Sequence, residues 1–469
     1  MTECDGPADT RPGLALTVSS SLALRNVFQA GILDELEREF RVVVLASPPI
    51  HRTLARLGYD RRVQVVEVEP GPEPRRWALL RQLKKKIYME GRGSTTERIW
   101  ERFQHRPAYQ VLGGLVVKAA VRLVSARRLY RWVDALDLAV NPDRRYLPLL
   151  QELRVGLFFS THATAFWEES LLRNAMAAHL PLLYMVLSWD HLSSKVLLHG
   201  TLGKILVWNE RTRGELLATY PEYRPGQIEV TGIPQYDSYG EPAPLTYAEW
   251  CAGFGLDPAR RTILFSTMPQ VRHNQQHVII EDLLRAITGG TLPGDFQVLI
   301  KCHPFDTFEG YASLLGRYPV ALRRTDLAPG QPIEEWVPSA DEVRESRDCL
   351  RFCAMNINIF STVTIEAAWF DRPIIHIGYD PGPIPPGRIP CREYYNLEHF
   401  RPIMDLDGSL LVESREALLD AVLQYDRDPD LKAEGRRRIV ASYIGVGLGG
   451  AARRVGEAVG RFHAEVAAG

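Results

Sequence analysis

Residues 355–368 read MNINIFSTVTIEAA, an apolar run that leads through two hydroxyl residues into a helical pattern. The apolar run predicts a buried strand of a parallel sheet, and the residues from Ser361 onward predict the start of a helix. Backbone N–H groups at a helix start lack partners within the helix, so with the hydroxyls of Ser361 and Thr362 they predict an anion site for a nucleotide diphosphate. Glu366, about one turn further on, is placed to accept hydrogen bonds from a ribose diol. The alternative is that Ser361 only caps the helix.

The same alternation of apolar runs and helical patterns extends over both halves of the chain. Strands are predicted in the first half at 14–18, 41–46, 63–68, 156–159, 182–187 and 205–208, and in the second half at 262–265, 297–300, 355–360 and 373–377. Strands that alternate with helices predict parallel sheets covered on both faces. The predicted fold is therefore α/β, with two doubly wound Rossmann-like domains facing a cleft.

Length and composition agree with two domains. A chain of 469 residues exceeds one ordinary core, and 45% apolar with 24% charged residues is typical of a globular protein. We predict an N-terminal acceptor-binding domain at 1–234, a C-terminal nucleotide-donor-binding domain at 235–449, and a helix at 450–469 that crosses back to the first domain. A loose stretch from Gln235 to Thr246, containing several Pro and Gly residues, predicts the hinge.

Net charge and cysteine content exclude several classes. A net charge of −1 argues against a nucleic-acid partner. Six cysteines in this length exclude a disulfide scaffold, and the absence of paired Cys-x-x-Cys units argues against structural zinc. No Gly-x-Gly-x-x-Gly opens either half of the chain, and no Walker or Gly-x-Ser-x-Gly motif is found. These patterns disfavour dehydrogenases, P-loop ATPases and esterases. The Asp-x-Asp at 405–407 reads as a turn, so no metal site is predicted there.

Polar residues that follow predicted strands of the second half are candidates for donor binding, because ligands bind at the carboxyl ends of parallel strands. Lys301 and His303 follow one strand, and Pro304 favours an extended backbone at His303. The hydroxyls of Ser266 and Thr267 follow another strand, and Asp380 follows a third, where it could bind sugar hydroxyls. The alternatives are a packed histidine and plain turns.

The first half supplies candidates for acceptor-side chemistry. Asp190 and His162 each follow a predicted strand, and either is a candidate general base that removes a proton from an acceptor hydroxyl. Near the N-terminus, Ser20, Arg25 and Asn26 belong to a polar loop predicted to face the same cleft and to bind the acceptor. The alternative for the segment around Asp190 is that it merely turns the chain.

Residues 75–131 form a basic segment. They contain 15 Lys or Arg residues against three acids, a local net charge of +12, and 109–123 carries apolar residues at helical spacing. Such a segment is typical of a surface that docks on anionic lipid or holds an anionic acceptor; the alternative is a solvated helical hairpin. No signal peptide or apolar stretch of roughly 20 residues is found. We therefore expect a cytoplasmic protein with a candidate peripheral contact to the inner face of the plasma membrane.

Several motifs together carry a family resemblance. The runs VWNE at 207–210, VTGIPQYD at 230–237, KCHP at 301–304, NIFSTVTIE at 358–366 and RPII at 372–375 resemble those of GT-B glycosyltransferases. More narrowly, they are similar to bacterial surface-polysaccharide enzymes, including the CDP-glycerol glycerophosphotransferase-like group, over about residues 155–445. The resemblance implies a donor nucleotide in the C-terminal domain, with His303 near the donor phosphates, Ser361 and Thr362 as the hydroxyl pair and Glu366 as the ribose-binding acid.

The expected function is transfer of a sugar from a nucleotide-sugar donor to an acceptor hydroxyl in the synthesis of surface polysaccharide, glycolipid or a related glycoconjugate. We expect inversion, no metal and no cofactor beyond the nucleotide-sugar co-substrate, with a glycan, a lipid-linked compound or a small molecule as acceptor. Three alternatives remain: a CDP-glycerol-type polyol-phosphate transferase, a nucleotide-sugar 2-epimerase and a non-catalytic scaffold of polysaccharide assembly.

Overall fold

The computed structural model describes residues 10–104, 107–161, 166–195, 202–220, 222–273, 275–306, 308–326, 336–445 and 447–468. Two parallel sheets organise these residues. The first has seven strands in the order β3-β2-β1-β4-β5-β6-β7, and the second has six in the order β10-β9-β8-β11-β12-β13. The strands of the first sheet are β1 Gly13–Val18, β2 Arg41–Ala46, β3 Gln64–Glu67, β4 Leu157–Ser160, β5 Leu182–Met185, β6 Lys204–Val207 and β7 Ile228–Val230. Those of the second are β8 Arg261–Ser266, β9 Phe296–Lys301, β10 Val320–Arg323, β11 Met355–Asn358, β12 Ile374–Ile377 and β13 Leu410–Val412.

Helices cover both faces of each sheet. Within the described residues they are α1 Ser21–Leu24, α2 Ile32–Leu36, α3 Pro48–Arg56, α4 Arg75–Gly91, α5 Thr95–Phe103, α6 Ala108–Leu123, α7 Ala126–Val140, α8 Leu147–Glu152, α9 Phe166–Ala177, α10 Glu210–Thr219, α11 Tyr247–Phe254, α12 Gln276–Thr288, α13 Glu309–Ala312, α14 Ala340–Phe352, α15 Val363–Trp369, α16 Cys391–Tyr394, α17 Arg401–Asp405, α18 Arg415–Arg427, α19 Ala433–Tyr443 and α20 Ala451–Ala468. None of the helices in this part of the chain is long and apolar enough to span a membrane.

Each sheet is doubly wound. The strand order reverses between β1 and β4 in the first sheet and between β8 and β11 in the second. The inner strands are buried on both faces, as their continuous apolar runs require. At such a reversal the connections leave in opposite directions and open a crevice at the carboxyl ends of the strands. The predicted α/β fold with two Rossmann-like sheets is confirmed.

The last helix returns to the first sheet. Val455, Val459 and Phe462 of α20 are buried in the apolar core beneath β1 and β2. The carboxylate of Asp237 accepts hydrogen bonds from the backbone N–H groups of Gly449 and Ala451, at 3.1 and 2.8 Å, and so fixes the start of this helix. The C-terminal end of the chain therefore ties the two halves together.

The segment that joins the sheets is more ordered than its composition predicts. Pro234–Gly240 forms a 3₁₀ helix in which Tyr236 and Tyr239 are only 1% and 3% exposed. Both tyrosine hydroxyls donate to the carboxylate of Glu366. The expected loose hinge at 235–246 is thus packed over its first half, because its aromatic residues find partners in the second domain.

Two helical stretches are short. The one that follows β1 is interrupted at Gly31, whose φ of +86° lies in the left-handed region, so that a π-helical turn at Arg25–Gln29 precedes α2. The other, α13, is a single turn. The strands β7, β10 and β13 were not predicted. Each lies at an edge of its sheet and is only partly buried, so its sequence is not a continuous apolar run like that of an inner strand.

The basic segment folds as part of a four-helix insertion, α4–α7, that contacts both halves. Trp77 of α4 is buried at 2% exposure and donates to the carboxylate of Glu169 in the first domain. Ile99, Trp100 and Phe103 of α5 pack against the core of the second domain. The insertion therefore spans the cleft on one side.

Candidate active site

The strand-to-helix junction at 359–362 lies at the reversal of the second sheet. Phe360 has a φ of +46°, a left-handed conformation that is strained for a residue with a large side chain. Its ring is held by Tyr394, Phe400 and His399, with ring centres 5.2, 4.8 and 5.3 Å away. This packing keeps the sharp turn that directs Ser361 and Thr362 toward the first domain.

A first cavity, of about 380 Å³, opens at this junction between the two domains. Five residues predicted to bind the donor line it together: Lys301, His303, Ser361, Thr362 and Glu366. The first domain contributes Arg25, and the second adds Arg323, Arg324 and Trp336. The ammonium group of Lys301 has no ion pair within the described residues, whereas Arg323 pairs with Glu345 at 2.6 Å. Glu342, Glu345 and Glu366 line the same cavity, so its four Lys and Arg side chains exceed its carboxylates by one.

Glu366 stands at the inner end of the first cavity. Tyr239 donates a hydrogen bond of 2.6 Å to one carboxylate oxygen, and Tyr236 donates one of 3.3 Å to the other. A carboxylate offers about four acceptor positions. Glu366 therefore keeps acceptor capacity for a further donor while its orientation is fixed by the segment that joins the domains.

His303 is held in one tautomer by its own loop. The backbone N–H of Phe305 donates to Nδ1 at 3.1 Å, so the proton lies on Nε2. Burial, assisted by the charge of Arg272, lowers the pKa of His303 to about 4. At neutral pH the ring is an uncharged hydrogen-bond donor. Thr267 supports this loop, because its hydroxyl accepts from the backbone N–H of His303 at 2.9 Å and donates to Asp306 at 2.5 Å.

A second cavity, of about 630 Å³, lies on the other side of the same junction. It shares His303, Ser361 and Thr362 with the first cavity. Its remaining walls come from three parts of the chain: Asp190 of the first domain, Lys85, Met89, Thr96, Glu97 and Trp100 of the insertion, and Thr267, Arg272, Phe305, Phe360 and His399 of the second domain. Two cavities therefore meet at one group of polar residues.

Asp190 is placed beside this meeting point by its neighbours. The hydroxyl of Ser188 donates to its carboxylate at 2.6 Å. The preceding residue, Trp189, crosses the cleft, and its indole N–H donates to the Thr362 hydroxyl at 3.4 Å. Asp190 thus lines the second cavity next to Thr362. His162, the other candidate base, lies outside the described residues.

Three predicted residues are engaged within the fold instead of facing a cavity. The Ser266 hydroxyl is buried and accepts a hydrogen bond of 3.0 Å from Asn356. Asn26 is fully buried and donates to the carbonyl of Leu22 at 3.0 Å. Ser20 caps α1 by accepting from the backbone N–H of Ala23 at 3.1 Å. Among the three residues of the loop predicted to bind the acceptor, Arg25 alone lines the first cavity. Both Arg25 and Asn26 belong to the π-helical turn, and in that turn Asn26 faces the core.

Asp380 belongs to the one group of described residues that could hold a metal ion. Its carboxylate, His273 and Cys391 place their ligand atoms within 4.8 Å of one another. The carboxylate already accepts from the backbone N–H of Cys391 at 2.9 Å, and His273 Nε2 lies 3.4 Å from its other oxygen. Because the backbone N–H of Gln275 donates to His273 Nδ1, the proton lies on Nε2 and no lone pair there faces a metal. Asp380 therefore holds two loops together and does not line either cavity.

Several lining residues that matter to the site were not predicted from the sequence. Arg323 ends β10 and Arg324 follows it, so both would have been candidates if that short strand had been predicted. Trp336 of the first cavity, and Lys85, Trp100 and Arg272 of the second, carry no such signal. Their position depends on which side of a helix or loop meets the cleft, and local sequence does not encode this.

The sequence matches no protein-family model and no curated protein. Among solved structures, the chain is similar to S. aureus MnaA in complex with UDP, with a TM-score of 0.54, 9% identity and coverage of 96% of this chain and 97% of that chain. It is also similar to a UDP-N-acetylglucosamine 2-epimerase, with a TM-score of 0.54, 12% identity and 97% coverage of both chains. The UDP-GlcNAc 2-epimerase from Neisseria meningitidis bound to UDP-GlcNAc gives a TM-score of 0.53 at 10% identity, covering 96% of this chain and 100% of that chain. At such low identity the likeness defines the fold: the chain has the two-domain GT-B architecture.

Proposed function

We propose that this chain is a glycosyltransferase that binds a nucleotide-sugar in the first cavity and transfers its sugar to an acceptor hydroxyl in the second. The observation that carries the proposal is that the two cavities share His303, Ser361 and Thr362. A transfer reaction needs two substrates that meet at one reacting carbon, and two cavities with common walls supply that arrangement.

The first cavity suits a nucleotide-sugar in size and in chemistry. Its volume of about 380 Å³ lies within the range of small-molecule sites. Arg25, Lys301 and Arg324 would neutralise the diphosphate. Trp336 offers an aromatic face to the base, and Glu366 has acceptor capacity for a ribose diol.

The proposed reaction is a single displacement. Asp190 removes the proton from the acceptor hydroxyl, whose oxygen forms a bond to the anomeric carbon. The bond from that carbon to the diphosphate oxygen breaks, and its electron pair leaves with the nucleotide. The N–H of His303, the hydroxyls of Ser361 and Thr362 and the ammonium of Lys301 stabilise the departing charge. Attack from the second cavity and departure into the first lie on opposite faces of the sugar, which favours inversion.

In this proposal the side chains of Arg25, Lys301 and Arg324 neutralise the diphosphate, which in other enzymes a divalent metal ion can do. We therefore expect turnover that needs no metal. The Asp-x-Asp pair at 405–407 cannot hold an ion at the junction from where it stands: Asp405 pairs with Arg401 at 2.8 Å and Asp407 pairs with Lys432 at 2.6 Å. Neither carboxylate lines either cavity.

The second candidate function is epimerisation of a nucleotide-sugar. It is favoured by the fold, because the structures similar to this chain include UDP-GlcNAc 2-epimerases. Epimerisation, however, acts on one substrate, so the reaction does not require the second cavity of about 630 Å³ with a candidate base in its wall. Transfer therefore accounts for more of the site.

The first experiment identifies the donor. Thermal-shift measurements with UDP-, GDP-, CDP-, CMP- and dTDP-linked compounds should reveal one class that raises the melting temperature, since a ligand of the native state stabilises it. NMR of the reaction mixture, with and without acceptors and with EDTA throughout, then separates the functions. Transfer to an acceptor in EDTA supports the proposal. Isomerisation of the donor alone supports the epimerase, and absence of any nucleotide binding contradicts both.

Variants at the junction test the assigned roles. Asp190→Asn should keep donor affinity and lower the turnover number roughly 10²–10⁴-fold, the usual range for a general base. Ser361→Ala combined with Thr362→Ala should weaken nucleotide binding by roughly 1–3 kcal/mol. Asp405→Asn, at a carboxylate 60% exposed, is the matched control and should change neither quantity. Wild-type turnover in Asp190→Asn would remove this residue as the base.

A membrane contact is proposed for the outer face of α6 and α7. Leu112, Leu115, Val116, Leu123, Trp132 and Leu136 are more than half exposed there, and Arg122, Arg127, Arg128 and Arg131 are exposed around them. Apolar side chains flanked by cations suit an anionic lipid surface. Leu112→Ser with Leu115→Ser should reduce flotation with phosphatidylglycerol vesicles, and Leu245→Ser on the second domain should not. Equal flotation with neutral vesicles, or no loss in the double variant, would contradict the proposal.

A further inference from the structure

The insertion forms one wall of the second cavity. Helix α5 begins at Thr95, and the Thr96 hydroxyl accepts a hydrogen bond of 3.0 Å from the backbone N–H of Glu398 in the second domain. On the next turn, Trp100 packs against the core of that domain and lines the cavity. This wall is therefore docked on the domain that carries the junction, and it lines the same cavity as Asp190.

Two cations face this cavity without a compensating carboxylate. Lys85 belongs to the insertion and Arg272 to the second domain, and both are exposed. Neither has an ion pair among the described residues. The carboxylates of the same cavity have donors of their own: Lys86 lies 3.8 Å from Glu97, and Ser188 donates to Asp190. An occupant with negative charge would therefore find two available cations.

An aromatic surface adjoins these cations. Trp100 is half-buried, and the Arg272 guanidinium lies 5.7 Å from its ring centre. Phe305, which lines the same cavity, is 56% exposed. Aromatic rings present an apolar face with a polar edge, which matches the C–H faces and hydroxyl edges of a sugar ring. The cavity thus combines a surface for a saccharide with charge for an anion.

We propose that the second cavity binds an anionic saccharide as acceptor, with a sugar ring against Trp100 and a phosphate or carboxylate between Arg272 and Lys85. This inference rests on the proposed glycosyl transfer and names the acceptor class for it. In this proposal the acceptor is bound by the insertion and by the loop that follows β8, and not by the N-terminal loop at 20–26 that the sequence predicted. The acceptor hydroxyl then points toward Asp190 and the shared residues of the junction.

The test is a binding experiment on the full chain saturated with the nucleotide that raises its melting temperature most, so that the first cavity is filled. Saturation-transfer NMR then compares glucose 1-phosphate and methyl glucuronide with methyl glucoside, a neutral analogue. Both anionic sugars should bind at least about tenfold more tightly, the scale of one charge-assisted hydrogen bond. Lys85→Ala combined with Arg272→Ala should abolish this preference, and Trp100→Ala should weaken all three sugars alike.

Arg98→Ala is the matched control. Arg98 lies on the same helix as Trp100, is exposed and lines neither cavity, and its guanidinium donates to the backbone carbonyl of Gly93. The preference should survive in this variant. Equal binding of charged and neutral sugars, or a preference that persists in the double variant, overturns the inference. If no nucleotide binds the wild-type chain, the proposed function itself fails, so the two failures are distinguishable.

The negative group can belong to a soluble glycan or to a lipid-borne one. Glucose linked through diphosphate to a farnesyl chain, measured beside glucose 1-phosphate, distinguishes these sources. Tighter binding of the farnesyl compound assigns the cavity to the headgroup of a lipid-linked acceptor, and equal binding assigns it to a soluble one. The inference is supported if the Lys85→Ala, Arg272→Ala double variant no longer binds the compound that the wild-type chain binds. It is overturned if the double variant still binds both compounds.

Discussion

His376 is an uncharged histidine in the core of the second domain. It is fully buried, neither ring nitrogen has a hydrogen-bond partner within the described residues, and its ring lies between those of Tyr395 and Phe400. Burial lowers the pKa of His376 to about 3. In the unfolded chain the same group titrates near 6.5, so the unfolded state binds a proton first as the pH falls. The free energy of unfolding should therefore be largest above pH 6.5 and decline from there toward pH 3.

The variant His376→Leu tests this contribution. Leucine removes the titrating group and leaves no polar partner unpaired. The difference in unfolding free energy between pH 7 and pH 5 should shrink by about 2 kcal/mol, since each pH unit below 6.5 corresponds to 1.36 kcal/mol for one group. Urea denaturation at the two pH values measures it. His179→Asn, at an exposed position with φ of +56°, should leave the difference unchanged. An unaltered difference in His376→Leu would show that this histidine is not the source.

At the scale of elements, the insertion is held together by buried ion pairs. Lys84 of α4 is completely buried, and its ammonium lies 2.9 Å from Asp134 and 2.7 Å from Asp137 of α7. Burial alone would raise the pKa of Asp137, but hydrogen bonds from Arg173, Lys84 and Asn141 outweigh it and lower the pKa. Part of the charge of the basic segment is therefore structural. Its exposed cations remain available to an anionic partner.

Adjacent lysines should accordingly differ sharply in their effect on stability. Lys84→Ala leaves two carboxylates short of a partner in the interior of the insertion, which should cost roughly 3–5 kcal/mol. Lys85→Ala, at an exposed site, should change the free energy of unfolding by less than about 0.5 kcal/mol. Chemical denaturation of both variants measures the difference. Equal stability of the two would contradict the buried network.

At the scale of the whole molecule, Arg92 links the insertion to both domains. Its guanidinium lies 3.3 Å from Glu215 of the first domain and 2.6 Å from Glu398 of the second. It also donates to the carbonyl of Leu192, in the segment that follows Asp190. One side chain thus connects the insertion, the loop of the candidate base and the second domain. Opening the cleft would require these contacts to separate.

The variant Glu398→Gln weakens this link without removing the hydrogen-bond acceptor. It should lower the free energy of unfolding by roughly 1–1.5 kcal/mol, the difference between a hydrogen bond to a charged group and one to a neutral group. Small-angle scattering should show a larger radius of gyration if the cleft opens. Glu393→Gln is the matched control, because its contact with the 72%-exposed Arg102 is 3.8 Å long and should contribute less than about 1 kcal/mol. A Glu398→Gln variant that behaves like this control would exclude the link.

A feature of the site could be predicted from the sequence when it depends on only a few consecutive residues. Lys301 is the last residue of β9, His303 lies just beyond it, and Ser361 and Thr362 lie shortly after the end of β11. The periodicity of a strand and the point where it ends are properties of a few consecutive residues. The carboxyl ends of parallel strands share one edge, so these residues were expected together and line the first cavity together. Ser266 obeys the same rule but points inward to Asn356, because alternate strand residues face opposite sides of the sheet.

By itself, the sequence determined the α/β class, the two parallel sheets and the polar residues at the ends of their strands, since all of these depend on short-range patterns of apolar and polar residues. Tertiary structure decided what surrounds them. Arg25 joins the first cavity, and Trp100 and Arg272 join the second, only because helices and loops far apart in the chain pack across the cleft. Which face of a helix or loop lines the cleft depends on its packing against distant segments of the chain. A short stretch of sequence does not determine that packing.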